Sequence, residues 1–252
     1  HANEPVPFSA NDLRDRRDLK IKKLSELIDL NHVDEMDGQI SLTLGNGTPL
    51  VLKSTAFSLS TQLNGNNKGF QDITVSGLNG TSTNVTSHIT GGSLKGLIAM
   101  RDTEVSGVKD KLDRLAVAFI QEFNNIHQQG FGIDGTSGNN FFEPPAVTTE
   151  INTSNTGTAT LTVTNGNPSE ISTDKFELVF TSGNSFTLNN LTTGSASGTY
   201  SFTAGSKFNL AGGFAVTISS GASAGDKFKI SISEDAAQTI SLSRDVVSDG
   251  NK

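Results

Sequence analysis

Cysteine and tryptophan are missing from this 252-residue sequence, and it has one tyrosine, two methionines and six prolines. Without Cys there is no disulfide scaffold, no thiolate-held zinc or iron–sulfur cluster, and no thiol nucleophile. A chain without thiols is indifferent to redox conditions, so the compartment stays open. Aromatic residues make up 6% of the chain, 15 of them Phe, which leaves little from which to build a stacking platform for sugars. No apolar run approaches the roughly 20 residues of a membrane span, and no basic-then-apolar leader opens the sequence. Positive charge is also short. The 19 Lys and Arg against 26 Asp and Glu give a net charge of −7 and a pI near 5.1. A nucleic-acid binder needs a basic face to displace counterions from phosphates, and anionic membranes disfavour an acidic surface.

What is present is small and polar. The hydrophobic share is 34%, with 26 Gly, a content slightly lean for a globular chain yet above that of a disordered one. The length allows one or two domains with cores of their own. Residues 1–145 carry 17 acidic and 13 basic residues, and 146–252 carry 9 and 6, while Ser, Thr and Asn rise. Pro144-Pro145 marks the change. The sequence therefore predicts a helical domain over 1–145 with a β section inserted at about 32–92, a β-rich domain over 146–234, and a return segment over 235–252.

Within the first part, Asn11 and Asp12 offer an N-cap to a stretch free of Gly and Pro, whose apolar positions Leu13, Ile21, Leu24, Leu27 and Ile28 recur at helical steps. Alternation follows at Ile40, Leu42 and Leu44. Asp37-Gly38 before it and Gly45-Asn46-Gly47 after it are turn signals, and Leu50 to Leu52 continue the meander. Further strands are expected over 57–63, 70–75 and 85–89. Ser93 and Gly130 then bracket a second, longer helix. Its positions Val105, Val108, Leu112, Leu115, Phe119, Phe123 and Ile126 keep a heptad-like spacing, with Gly107 as a weak point. Leu112, Leu115, Phe119 and Phe123 are expected to pack against Leu24 and Ile28, so that Leu115→Ala would cost ~2 to 5 kcal/mol if that side chain is buried.

Beyond residue 146 come short Thr-, Ser- and Phe-rich runs separated by Asn165-Gly166, Ser182-Gly183-Asn184 and Ala224-Gly225-Asp226, the pattern of an antiparallel sandwich or barrel. Phe176, Leu178 and Phe180 alternate, as do Phe228, Ile230 and Ile232, so one face of each strand is core. The fold class is α+β: a long antiparallel helical rod segment with a small β section, plus an all-β antiparallel domain.

Motifs for chemistry are sparse. His32, His88 and His127 lie in separate segments with no HxxxH or HExxH pair. Asp34, Glu35 and Asp37 lack the ligand spacing of a calcium loop, and Gly91-Gly92 belongs to no phosphate-binding motif, so helix entry explains it better. No GxSxG elbow exists. No catalytic, cofactor or metal residue is assigned. A carboxylate hydrolase and a surface-displayed adhesive β module remain as alternative functions.

The order NDLRDRRDLKIKKLSELIDL, VDEMDGQISLTLGNGTPLV, GGSLKGLIAMRD and LDRLAVAFIQEFNNIHQQGFGIDGTSGNNFF resembles the flagellar hook-associated protein 1 family. AGDKFKI followed by Asp235-Ala236-Ala237 is similar to that family's segment before its C-terminal helices. The resemblance implies a non-enzymatic subunit of the bacterial flagellum that joins hook to filament, needs no cofactor, and is exported to the cell exterior without a cleaved signal. It implies as partners further copies in a ring, the hook protein and a neighbouring hook-associated protein. The family's polymerising terminal helices do not appear. The chain is therefore expected to be a middle fragment, monomeric alone, with a seam (Leu13, Ile21, Leu24, Ile28 and Val105 to Ile126) left partly uncovered.

Overall fold

The computed structural model describes residues 7–35, 39–77, 80–166 and 171–250, with side chains from residue 11 onward. Its contacts separate two compact units, His1–Ser106 and Gly107–Lys252. This division falls inside the helical stretch, whereas the change in composition falls at Pro144-Pro145. The reason is that the second half of that helix shares a core with the β-rich region.

The first unit opens with α1 (Pro7–Leu27). Asn11 and Asp12 thus lie inside the helix and do not cap it. Two antiparallel sheets follow. One is ordered β1 (Asn31–Asp34), β2 (Ile40–Thr43), β3 (Pro49–Leu52) and β4 (Thr55–Ala56). The other is β5 (Leu59–Leu63), β6 (Gln71–Ser76) and β7 (Ser82–Asn84). The turn signal at Asp37-Gly38 lies outside the described residues. That at Gly45 to Gly47 is a turn, closed by the Leu44 N–H donating to the Thr48 carbonyl and the Gly47 N–H donating to the Leu44 carbonyl, with Gly47 at φ +83°. The segment 85–89 is not a strand but a 3₁₀ turn over Thr86–His88. Alternation would have put Ser87 in the core beside Val85 and Ile89; the turn buries the two apolar residues and leaves Ser87 exposed.

The helix α2 (Gly92–Ala99) passes into a π-helical segment, Met100–Val105, so the irregularity precedes Gly107. Asp29 ties the end of α1 to the start of α2. Its carboxylate accepts the backbone N–H of Thr90 and Gly91 at 2.9 and 3.0 Å and the Thr90 hydroxyl at 2.5 Å. Burial works to raise its pKa, but these donors hold it below the ordinary carboxylate value. Ile28, Leu44, Leu50, Val75, Val85 and Ile89 fill the core, with Leu24, Leu94 and Ile98 packed against it.

The second unit begins with α3 (Ser106–His127). Its strands are β8 (Thr148–Ile151), β9 (Leu161–Asn165), β10 (Phe176–Ser182), β11 (Ser185–Asn190), β12 (Ser195–Ser201), β13 (Lys207–Asn209), β14 (Phe214–Ile218) and β15 (Lys227–Ser231). They form a five-stranded sheet ordered β12-β11-β10-β15-β8 and a three-stranded sheet ordered β13-β14-β9, both antiparallel. Neither closes on itself, so a barrel is not formed by the described residues. Both sheets supply one core, in which Leu178, Phe186 and Ile230 of the larger meet Phe214, Val216 and Ile218 of the smaller. The register between β11 and β12 shifts at Leu188/Asn189, where Gly198 has φ +120°. Two short helices, α4 (Ala236–Thr239) and α5 (Arg244–Ser248), follow.

Asp226, 2% exposed, holds the loop before β15. Its carboxylate accepts N–H from Ser223 (2.8 Å), Thr156 (2.9 Å) and Gly157 (3.2 Å). The Ser223 donor, ahead of the opposing effect of burial and with help from Thr156 and Gly157, lowers its pKa. A depressed folded pKa means that this contribution is present above the unfolded value of about 4 and is lost as pH falls through the lower folded value. The urea midpoint of the second unit should therefore fall on acidification from about pH 5 to about pH 3. Asp226→Asn should lower the midpoint at neutral pH and flatten that part of the acid profile, which urea titrations at several pH values would read.

Candidate interaction surface

Two stripes run along α3. One comprises Asp113, Val117, Ile120 and Asn124, all buried. The other comprises Val108, Leu112, Leu115, Phe119, Phe123 and Ile126. The sequence makes the second stripe the more apolar, and burial of that stripe is the ordinary expectation. The structure buries the first instead, because its two polar ends find partners.

Asp113 pairs with Lys109 at 2.8 Å and accepts the N–H of Ala237 at 2.9 Å, at the start of α4. Lys109 also meets Asp235 at 2.5 Å. Burial opposes the charge of Lys109, yet the two carboxylates raise its pKa. Asn124 accepts the N–H groups of Phe141 and Phe142 at 3.0 and 2.8 Å and donates to the Phe142 carbonyl at 2.9 Å. Between these ends Val117 joins the β core, with Ala116 beside it. Nearby, the half-buried Lys175 bridges Asp110 of α3 (2.9 Å) and Glu234 (2.7 Å). A buried polar group matched this fully costs little to keep and much to strip of its partner.

The apolar stripe is left facing outward. Leu115 is 66% exposed, Ile126 64%, Val108 58% and Leu112 54%. Phe119 and Phe123 are partly covered, because Phe141 and Phe142, held by Asn124, bring their rings to 4.8–5.5 Å from them. Beyond the helix, Phe131 and Ile133 stand on a tight loop with 80% and 90% of their surface in solvent. Val105, in the π segment of the first unit, is exposed too. Of the α1 positions, Leu13 is exposed and Ile21 and Leu24 are half-buried, while Ile28, just past the helix, lies in the core of its own unit. With Leu115 in solvent, Leu115→Ala should change stability by less than ~0.5 kcal/mol, a result that thermal melting would check.

Sequence reasoning does not single out Asp113 or Asn124, and names Asp226 only as part of a turn signal. The four-three-four spacing of Asp113, Val117, Ile120 and Asn124 was present, but two polar ends make it read as a solvent face. Among the described residues no group of three His, Cys, Asp or Glu is placed to hold a metal, and no helix is long and apolar enough to cross a membrane.

The chain is of the α+β class, with a helix that seats a polar-ended stripe in its own core and leaves an apolar stripe of heptad-like spacing in solvent. The family model for the flagellar hook-associated protein FlgK helical domain matches residues 3–142. Flagellar hook-associated protein 1 of Escherichia coli is 29% identical over 177 residues, which cover 68% of this chain and 32% of that protein. Its namesake in Bacillus subtilis is 29% identical over 162 residues, covering 56% and 32%. The solved structure of the flagellar hook junction protein FlgK from Burkholderia pseudomallei superimposes with a TM-score of 0.78 at 30% identity, covering 94% of this chain and 44% of that one. The chain belongs to the FlgK family of flagellar hook-associated proteins. Its matched part spans about a third of the length of its E. coli and B. subtilis relatives.

Proposed function

We propose that this chain is the middle portion of a non-enzymatic subunit that joins the flagellar hook to the filament, and that the outward stripe of α3 is one of the surfaces through which that subunit is built into its assembly. The observation that carries the reading is this heptad stripe, left in solvent in a chain of the FlgK family. The names of its relatives add hook association and the hook junction. In this reading the partners are further copies of the subunit in a ring, the hook protein and the neighbouring hook-associated protein. The place of action is outside the cell, reached without a cleaved signal, and no cofactor takes part.

In the complete polypeptide, terminal helices cover part of the stripe; alone, the 252-residue chain is monomeric. We read the family-shared helical part as running to about Pro144-Pro145, a reading supported by the family model's match over residues 3–142, and residues 146–234 as an open two-sheet sandwich. Support for the sandwich comes from the core that the two sheets share.

The test is Leu112→Glu with Leu115→Glu in the complete protein. Both side chains are exposed in the isolated chain, which should melt at an unchanged temperature. In cells the double variant should lose motility and show hooks without retained filaments in electron micrographs. Normal filaments on the variant's hooks would sink the proposal.

A further inference from the structure

The second unit holds a cavity of about 210 Å³ on one flank of α3. None of its lining residues belongs to the outward apolar stripe. Gln121, Asn124, Asn125 and Gln128 line it from α3, at the three- and four-residue steps that put side chains on one side of a helix. Asn140, in the loop after the helix, and Asn165, at the end of β9, complete a wall of carboxamides. The apolar part includes Ile120 and Ile232, each 2% exposed, and Pro144-Pro145. Among the described lining residues none is charged.

Some of these amides are committed. Asn124 spends its carboxamide on the backbone of Phe141 and Phe142, which fixes the wall, and Gln128 Nε2 donates to Asn140 Oδ1 at 2.6 Å. That leaves Gln128 Oε1 and Asn140 Nδ2 free to bond elsewhere. The carboxamides of Gln121, Asn125 and Asn165 have no hydrogen-bond partner among the described residues. Uncommitted donors and acceptors therefore border the cavity from α3, the following loop and β9.

This chemistry restricts the occupant. A carboxamide offers a donor beside an acceptor, and a hydroxyl is both at once, so each free amide can take a hydroxyl in either sense. Neutral walls cannot offset the cost of desolvating an ion, which disfavours charged ligands. The isoleucines and prolines want a C–H surface. The cavity is smaller than the sites that take drug-sized ligands, so it has room for one ring and not for a length of peptide. A ring with hydroxyls at its edge and C–H groups on its faces is a pyranose.

We infer that this carboxamide-lined cavity binds a single neutral pyranose, held by Gln121, Asn125, Gln128, Asn140 and Asn165. The inference goes beyond the junction reading above, because it concerns a small ligand and a different flank of α3.

The probes are the methyl α-D-pyranosides of glucose, mannose and galactose, titrated into the ¹⁵N-labelled 252-residue chain and followed by ¹⁵N–¹H correlation spectra. An ordinary yield of binding energy per heavy atom puts the dissociation constant of the preferred hexoside at about 1 mM. Saturating shifts should gather on the side-chain NH₂ groups of Gln121, Asn125 and Asn165. Glucuronate should bind at least about tenfold more weakly than that hexoside. Gln121→Leu with Asn125→Ala should lower the affinity by about tenfold or more. The melting temperature should stay unchanged, since neither carboxamide has a partner to lose. Extending the bound hexoside by a second hexose separates two sources of the sugar: undiminished affinity assigns the site to the end of a glycan chain, lost affinity to a free sugar, and either supports a pyranose site.

No saturable shift with any of the three hexosides would overturn the inference. So would shifts that lie away from the cavity, unchanged affinity in the double variant, or glucuronate binding as tightly as the hexoside. Tighter binding of acetyl-Gly-Ser-Gly-amide than of any hexoside would give the cavity to a peptide and overturn it as well.

Discussion

Replacing Phe180 by Ala is expected to cost the second unit ~3 to 5 kcal/mol, enough to remove much of the stability of an ordinary domain. Phe180 is 1% exposed on β10, the central strand of the five-stranded sheet. Its ring lies 5.6 Å from those of Phe186 and Phe228 and 5.9 Å from that of Phe202. Truncation leaves a hole bounded by three rings that strands paired on both sides cannot move to fill, so the lost transfer free energy and the cavity term add. Phe180→Leu keeps most of the volume and should cost clearly less. The chain carries its own reporter. Its single tyrosine, Tyr200, stacks on Phe186 at 5.5 Å within this same core, and its fluorescence during urea unfolding would give both midpoints. A midpoint for Phe180→Ala equal to that of the parent would show the ring cluster to be misplaced.

The second large effect belongs to Gly92. Its φ is +77°, and a Cβ there would stand 2.5 Å from the carbonyl carbon and oxygen of Leu27 and 2.6 Å from the Ile28 nitrogen. Those are backbone atoms, so no rotamer change relieves the overlap. The left-handed conformation adds its own penalty for any residue with a side chain. Gly92→Ala is therefore expected to destabilise the first unit by ~3 to 5 kcal/mol, strain and displacement together. Hydrogen exchange read by mass spectrometry on peptides from α1 and α2 should show protection lost around Ile28 and Leu94. At Gly96 a Cβ would meet nothing within 4 Å, so Gly96→Ala serves as the control and should be neutral or slightly stabilising. Equal protection in the Gly92 variant would contradict the close approach of α1 to the start of α2.

Much of the β structure was legible, because alternation encodes burial without knowledge of partners. Phe176, Leu178 and Phe180, and likewise Phe228, Ile230 and Ile232, all lie in the core. The two helices were legible as segments, since a 3.6-residue period survives in α1 and α3 even where few side chains are buried. What periodicity does not carry is which stripe of a helix is covered. The more apolar stripe of α3 reads as a seam left partly uncovered and lies in solvent, while the stripe that the structure buries is the one whose ends, Asp113 and Asn124, hydrogen-bond to residues 17 or more positions distant. Such pairings have no local signal. The same limit explains β8 and β13, short strands that exist through pairing with β15 and β14. It also explains 85–89, where Val85 and Ile89 lie four apart, a spacing that an extended reading conceals.

The outer strands of the five-stranded sheet bear on how such a chain behaves when crowded. β12 carries Ser, Ala, Gly and Thr besides Tyr200, is exposed except at that tyrosine, and joins its neighbour through a register shift at Leu188/Asn189. At the opposite margin, β8 is four residues long. A bulged strand and a stub are poor templates for another chain's backbone, so sheet-to-sheet growth is disfavoured at both margins. The five-stranded sheet can therefore stand at high local density without fusing edge to edge with its neighbours.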